Sequence, residues 1–276
     1  MPSRIAVIAG AGRFPFHVAE EAKRQGVSVV ALGIQGWADA SLASRVEAYE
    51  EIAVGQLGRL IERLKSHRIE QAIMAGKVTK EVLLDPRIAF DAEALAVLRH
   101  VRDMSVPAVL GAIGQRLAHE GITLLDSSTF LRANLCPAGA LTSRAPTAAE
   151  HEDIGIGLHA ARMIAALDIG QTVVVKRRVV IAVEALEGTD AAIRRAHELA
   201  GEGLVVVKLG GAAQDRRFDL PVLGLDSIKV CRHSGVTCLA LEAGNTLLLE
   251  RHAVVAAIDA AGLCALGIEP GAANAP

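Results

Sequence analysis

The sequence predicts an α/β protein in two parts. One is an N-terminal Rossmann-like domain on a parallel sheet; the other is a C-terminal α/β domain on a mixed sheet. Three observations carry that expectation. Short apolar runs rich in Val and Ile alternate with segments of helical spacing along the chain, the order that builds crossover units. The 276 residues are 51% hydrophobic but only 3% aromatic, so the core is made of Ala, Val, Leu and Ile, as suits buried parallel strands. The alternation breaks at Asn134-Leu135-Cys136-Pro137-Ala138-Gly139, which places the domains at 1–134 and 135–276, with Ala140-Leu141-Thr142 on the crossover between them.

The first half reads as follows. Residues 5–9 form a buried strand. Gly10-Ala11-Gly12-Arg13-Phe14-Pro15 turns into a helix that runs to about Gln25, with Pro15 in its first turn, where a missing N–H costs nothing, and Gly26 as its stop. The next strand covers 27–32. This order is Rossmann-like, and its helix N-terminus suits an anion. The dinucleotide fingerprint is incomplete: Pro15 stands at the third glycine position and no acidic residue ends the second strand. A tight turn with no ligand competes with a diphosphate or sugar-nucleotide site; an NAD site is disfavoured. A short strand within 47–54, a helix over 56–67 carrying Leu57, Leu60, Ile61 and Leu64, and a strand over 71–75 follow. That strand ends in Gly76-Lys77-Val78-Thr79, where Lys77 can reach a phosphate or simply face solvent. Helices cover 92–103 and 108–120, with Pro107 as the break, and a strand covers 122–125.

In the second half, Thr147-Ala148-Ala149-Glu150 has the form of a capping box for a helix to about Leu167. Strands 172–176 and 179–184 form a hairpin around Arg177-Arg178. Glu184-Ala185-Leu186-Glu187-Gly188-Thr189-Asp190 follows, with Thr189 as the expected N-cap of the next helix. A strand over 204–208 ends in Lys208, and a glycine-rich gap leads to Gln214-Asp215-Arg216-Arg217-Phe218-Asp219-Leu220-Pro221. If the strands before these two motifs are neighbours, Glu184, Glu187, Asp190, Asp215 and Asp219 converge. Such a cluster repels itself unless a hard cation such as Mg²⁺ relieves it; a solvated charge run is the plainer alternative. Residues 271–276 read as a frayed tail, and no internal repeat is visible.

Composition narrows the function classes. A net charge of −2 leaves no electrostatic footprint for nucleic acid. Cys136, Cys231, Cys238 and Cys264 are scattered without a CxxC pair and read as reduced core residues; a zinc site would need tighter spacing. The chain reads directly into its first strand, so no signal peptide is expected. No apolar run reaches spanning length, since even 253–266 is interrupted by Asp259. A soluble, cytoplasmic protein is expected. His151, His159, His233 and His252 form no pattern.

These motifs carry a resemblance. Asp168-Ile169-Gly170-Gln171, Ala182-Val183-Glu184 with Glu187-Gly188-Thr189-Asp190, and the run from Gln214 through Arg216-Arg217-Phe218-Asp219-Leu220-Pro221 to Val222-Leu223-Gly224 are similar to the LpxI-type UDP-2,3-diacylglucosamine pyrophosphatases. The first half resembles the same family through Ile8-Ala9-Gly10-Ala11-Gly12-Arg13-Phe14-Pro15, Ala75-Gly76-Lys77-Val78 and Leu141-Thr142. One departure is Leu209-Gly210-Gly211-Ala212 after Lys208, where the family pattern suggests Ala-Lys-Pro. The resemblance implies hydrolysis of UDP-2,3-diacylglucosamine to UMP and 2,3-diacylglucosamine 1-phosphate (lipid X) in lipid A biosynthesis, dependent on Mg²⁺ or another divalent cation such as Mn²⁺. It implies an active-site cleft between the two domains, and that Asp219 is essential.

On that basis the expected catalytic residues are Asp219, Asp190 and Lys208. The expected metal ligands come from Asp219, Asp215, Asp190 and Glu187, although Mg²⁺ usually takes only one or two carboxylates. Substrate contacts are expected from Gly10, Ala11, Gly12, Lys77, Val78, Thr142, Gln171, Gly188, Thr189, Arg194 and Arg217. Expected partners are the lipid-linked UDP-sugar, an inner-membrane surface touched peripherally for substrate capture, and a second copy in a homodimer on base rates. The rival reading is a non-catalytic sugar-nucleotide or lipid-carrier protein, which would need no carboxylate cluster.

Overall fold

The computed structural model describes residues 3–78, 82, 85–101, 105–210 and 215–271. Thr79, Gly211 to Gln214 and the tail from Ala272 lie outside the described residues, as does the end of the helix expected to reach Asp103. Contacts divide the chain into two units: Met1–Arg132 with Asp215–Asp219, and Ala133–Gln214 with Leu220–Pro276. The expected domains 1–134 and 135–276 differ from this chiefly in assigning 215–219 to the second.

Unit 1 is built on β1 (Arg4–Ala9), β2 (Ser28–Ile34), β3 (Ala48–Ile52), β4 (Gln71–Ala75) and β5 (Thr123–Leu124). The sheet order is β3-β2-β1-β4-β5 and every pairing is parallel. This is the Rossmann-like arrangement that the alternation predicts. The helices are α1 (Phe14–Arg24), α2 (Leu57–Ser66), α3 (Ala92–His100) and α4 (Val106–His119). Pro107 is not a break between the last two helices: it lies in the first turn of α4, where its fixed φ favours helix initiation. Leu57, Leu60, Ile61 and Leu64 line one face of α2 and pack on Ala6, Ile8, Val30 and Leu32 of the sheet. Because all five strands run the same way, the loops after β1, β4 and β5 emerge along one carboxyl edge.

Unit 2 holds β6 (Gly139–Ala140), α5 (Ala148–Ala166), β7 (Thr172–Lys176), β8 (Val179–Val183), α6 (Thr189–Ala200), β9 (Leu204–Lys208), β10 (Val222–Leu223), α7 (Leu225–His233), β11 (Val236–Glu242), β12 (Leu247–Leu248), α8 (Arg251–Ala260) and β13 (Cys264–Ile268). Its main sheet has the order β6-β13-β11-β9-β7-β8, and β10 pairs with β12 separately. The capping box of α5 forms as expected, with Thr147 and Glu150 exchanging side-chain-to-backbone bonds. The period of two is plain in β9: Leu204 and Val206 join the core under α6, α7 and α8, while Val205 and Val207 join the core under α5.

The strands before the two acidic motifs are not neighbours. β7 lies between β8 and β9, antiparallel to both. Two reversals leave β8 and β9 pointing the same way. Their carboxyl ends therefore share one edge with the first residue of β7.

Candidate active site

That edge of unit 2 gathers three side chains around one cation. Lys208, the last residue of β9, is only 5% exposed. Its Nζ donates to Thr189 Oγ1 at 2.9 Å and to Thr172 Oγ1 at 3.3 Å. Thr189 Oγ1 donates to Glu184 Oε1 at 2.9 Å, and Glu184 Oε2 lies 4.0 Å from Lys208 Nζ. Glu184 Oε2 is buried and accepts no hydrogen bond among the described residues. A buried ammonium is stable only when matched, and Glu184 with two hydroxyls supplies the match. Strand pairing explains the meeting: Thr172 opposes Lys208, and Glu184 N–H bonds Thr172 O at 2.9 Å.

Thr189 is not the N-cap expected from the sequence. Gly188 occupies that position at φ 82°, ψ 166°, a conformation reserved for glycine, and Thr189 is the first helical residue of α6. Its hydroxyl is spent on Lys208 and Glu184, not on capping. The helix N-terminus and the Lys208 ammonium thus adjoin, a combination that attracts anions. Asp190 and Arg194, one turn apart on α6, line a groove of about 590 Å³ with His197, Asp226 and Lys229. Glu187 is engaged by Arg195 at 2.8 Å and by the Ala185 N–H at 3.1 Å. Burial works to raise the Glu187 carboxyl, yet these donors hold it below its ordinary value. Gln171 O accepts from Leu209 N–H at 2.9 Å, tying the start of β7 to the end of β9. Thr142 lies elsewhere, beside β13, where its hydroxyl accepts from Ala265 N–H at 2.9 Å; β11 separates β13 from β9.

The carboxyl edge of unit 1 carries the other expected residues. Gly10 and Gly76 let two loops touch backbone to backbone. A Cβ on Gly10 would stand 2.7 Å from Lys77 O, and one on Gly76 would stand 2.7 Å from the Gly10 carbonyl carbon. The Ala11 and Lys77 amides exchange hydrogen bonds of 2.8 and 2.9 Å, and Gly10 N–H is spent on Ala75 O at 2.8 Å. The glycines therefore serve close packing, and neither the Gly10 nor the Ala11 amide is available to cradle an anion. Gly12, Lys77 and Val78 are exposed at the same edge.

Asp215–Asp219 forms a tight turn at this edge. The Phe218 and Asp219 amides both reach Asp215 O, at 2.9 and 3.1 Å. Arg217 Nε donates to both Asp215 carboxylate oxygens, at 2.9 and 3.0 Å. That guanidinium holds the Asp215 carboxyl below the usual carboxylate range. Phe218 packs on the unit 1 core, over Gly114 and Leu124. The five expected carboxylates are thus divided: Glu184, Glu187 and Asp190 with unit 2, Asp215 and Asp219 with unit 1.

Several participants were missed in the sequence. Thr172 and Arg195 belong to no sequence motif, and neither does Asp126-Ser127-Ser128, which contacts the turn. The cysteines are scattered in sequence, but strand pairing sets Cys238 opposite Cys264. Among the described residues, Glu150, Cys238 and Cys264 present donor atoms within 4.8 Å of one another. Arg144 already clamps both Glu150 oxygens at 2.9 Å, and a guanidinium there disfavours a divalent cation. Burial pushes the Cys136 and Cys231 thiols up to about 12, as befits inert core residues.

The fold and these two edges define a class: a two-unit α/β protein with cations and carboxylates at strand ends, the edge at which open α/β sheets take their ligands. Comparison with known proteins makes the class specific. The family model described as the LpxI N-terminal domain matches residues 4–133, and that of the LpxI C-terminal domain matches 137–266. A protein of Caulobacter vibrioides named UDP-2,3-diacylglucosamine pyrophosphatase LpxI is 31% identical over 278 residues, covering 97% of this chain and 98% of that protein. The chain belongs to the LpxI family. Among solved structures, the biotin carboxylase domain dimer of the Hydrogenobacter thermophilus 2-oxoglutarate carboxylase matches at 14% identity and a TM-score of 0.27. That match covers 72% of this chain and 41% of the other, and it carries no argument.

Proposed function

We propose that this protein hydrolyses the pyrophosphate bond of UDP-2,3-diacylglucosamine, releasing UMP and 2,3-diacylglucosamine 1-phosphate, a step of lipid A biosynthesis. The observation that carries the reading is the 31% identity, over 97% of the chain, to a protein named for that activity. The chemistry at the two edges supports it. Cleaving a phosphoanhydride requires charge to be neutralised on the phosphoryl oxygens and a water to be positioned.

In this reading Lys208 is the fixed cation. Its two threonine bonds and Glu184 hold it aimed, so no reorganisation is needed as charge develops. The start of α6 offers its free amides to the same phosphate. Arg194, Gln171 and Gly188 contribute on unit 2; Gly12, Lys77, Val78 and Arg217 contribute on unit 1. Asp219 positions the attacking water.

The donor set fits a hard divalent cation in part. Asp215 and Glu187 are committed to Arg217 and Arg195, which suits them to orienting those arginines. We assign Asp219 to hold Mg²⁺ or Mn²⁺, with Asp190 as the second candidate, consistent with the one or two carboxylates Mg²⁺ usually takes. When bound, the cation would screen the negative charge of the phosphates. Among the described residues no helix is long and apolar enough to cross a membrane. A substrate carrying two acyl chains makes peripheral contact with a membrane surface part of the proposal.

The test is UMP release from UDP-2,3-diacylglucosamine with Mg²⁺, Mn²⁺ or EDTA, for wild type and Asp219→Ala. Metal-dependent release that falls by about 10²–10³-fold in the variant, with substrate still bound, is the expected result. No release from folded wild type under either metal overturns the enzyme reading. Undiminished release by the variant moves the metal assignment to Asp190.

A further inference from the structure

We infer that Asp126, Ser127 and Ser128 are positioning residues: they dock the 215–219 turn onto the carboxyl edge of unit 1 and thereby fix Asp219. The inference rests on the reading of Asp219 as a catalytic residue. The turn arrives from a segment some 90 residues further along the chain, and within it only Phe218 contributes to the apolar core. Polar contacts supply the rest of its attachment.

Those contacts converge on three consecutive residues that follow β5. Ser127 and Ser128 are 2% and 0% exposed, burial that hydroxyls tolerate only when bonded. Ser127 N–H donates to Arg216 O at 3.0 Å. Ser127 Oγ shares its proton between Met74 O at 2.8 Å, near the end of β4, and Arg217 O at 3.1 Å. Ser128 Oγ accepts from Arg216 Nη2 at 2.9 Å and donates to Asp126 Oδ1 at 2.6 Å. Asp126 Oδ1 also takes the Ser128 N–H at 2.7 Å, and Oδ2 pairs with Arg216 Nε at 3.1 Å.

The division of labour is specific. The Ser127 bonds go to main-chain carbonyls, so they set where the backbone lies whatever its side chains. The Asp126–Ser128–Arg216 contacts recognise one side chain and so fix which residue lies there. Slipping the turn by one residue would break both sets and carry Asp219 away by a residue's length. Asp219 is two residues beyond the clamped Arg217 carbonyl, and its amide closes the turn on Asp215 O. Positioning of this kind acts on turnover more than on binding, because a displacement of about 1 Å can cost 10²-fold in rate.

The experiment uses the full-length protein and three variants: Ser128→Ala, Asp126→Ala and Asp126→Asn. Each is measured for UMP release and for hydrogen exchange at the amides of 217–219. The expected result is faster exchange at those amides alone, with kcat down about 10–100-fold and KM changed less than about threefold. Asp126→Asn keeps an acceptor for Ser128 and loses only the charge facing Arg216, so it falls between wild type and Asp126→Ala. It also serves if either alanine variant fails to fold. Exchange unchanged from wild type overturns the docking. Faster exchange with kcat within twofold overturns the link to Asp219. Wild type that releases no UMP overturns the functional reading instead, and the exchange data still decide the docking.

Discussion

Lys208 and Arg217 sit at the carboxyl edges of two different sheets and are stabilised in opposite ways. The Lys208 side chain is 6% exposed, and its partners come from two other strand ends, Thr172 and Glu184, and from the first residue of α6, Thr189. The Arg217 side chain is 43% exposed, and its partner, Asp215, is two residues away. A buried charge must be matched by groups that the whole sheet brings in, whereas an exposed one can be matched locally at little cost. The unit 2 site is therefore as rigid as its sheet, while the unit 1 turn is internally satisfied and needs separate anchoring to the edge.

The largest effect should follow from breaking the buried side of that contrast. Lys208→Met removes the cation and leaves Glu184 beside Thr189 with its charge uncompensated. UMP release should fall by about 10²–10³-fold, and unfolding should become easier by about 3–5 kcal/mol. Adding Glu184→Gln should restore much of the stability and none of the activity, because it removes the stranded charge without replacing the cation. At Arg217, truncation to Ala should cost under about 1 kcal/mol of stability, as for exposed pairs generally. Urea midpoints for the four proteins check this; equal losses at Lys208 and Arg217 would erase the distinction.

A smaller effect separates crowding from charge. Gly10→Ala puts a methyl group 2.7 Å from Lys77 O, with backbone on both sides and no flexible side chain to yield. The two loops must part, at about 1–3 kcal/mol. Thermal unfolding and exchange at the Ala11 and Lys77 amides would report it. Unchanged protection there would mean that the glycines serve a ligand after all, and not the contact between loops.

What could be read in the sequence follows the same division. The unit 1 sheet was legible because each strand is a short apolar run followed by a helix, and crossover rules leave few orders for such a pattern. Asp215 to Asp219 stood out because its charges are adjacent in the chain. The Lys208 cluster was only half legible. Glu184, Thr189 and Lys208 were visible as strand-end and helix-start residues, but Thr172 had no local signal, and their meeting depends on β7 running between β8 and β9. The role of Thr189 was misread because an N-cap threonine and a first-turn threonine look alike until Gly188 is seen at φ 82°. Asp126-Ser127-Ser128 was invisible for a related reason: its partners lie 88 to 90 residues away and include main-chain carbonyls, which no side-chain pattern encodes.

The smallest expected difference compares one ion pair from each unit under acid. In unit 1, Arg63 and then His67 hold the Glu50 carboxyl down at about 2; in unit 2, Arg144 does the same for Glu150, also to about 2. A carboxyl depressed on folding contributes stability that is complete above its unfolded value, near 4.5, and is lost as pH falls from there towards 2. Both units should therefore weaken over that interval, and neither pair should respond between pH 6 and 8 on account of its carboxylate. The sizes should differ. Each carboxylate meets its arginine through two nitrogens, but the Glu150 side chain is 11% exposed and caps α5, whereas Glu50 is 26% exposed. Glu150→Gln should cost about 1–3 kcal/mol at pH 7, and Glu50→Gln about 1 kcal/mol or less. Each substitution should flatten the acid limb of its own unit. Exchange protection in β9 and in β1, followed from pH 6 to pH 3, would read the two units separately. If Glu50→Gln softened β1 as much as Glu150→Gln softened β9, burial would not be what distinguishes the two pairs.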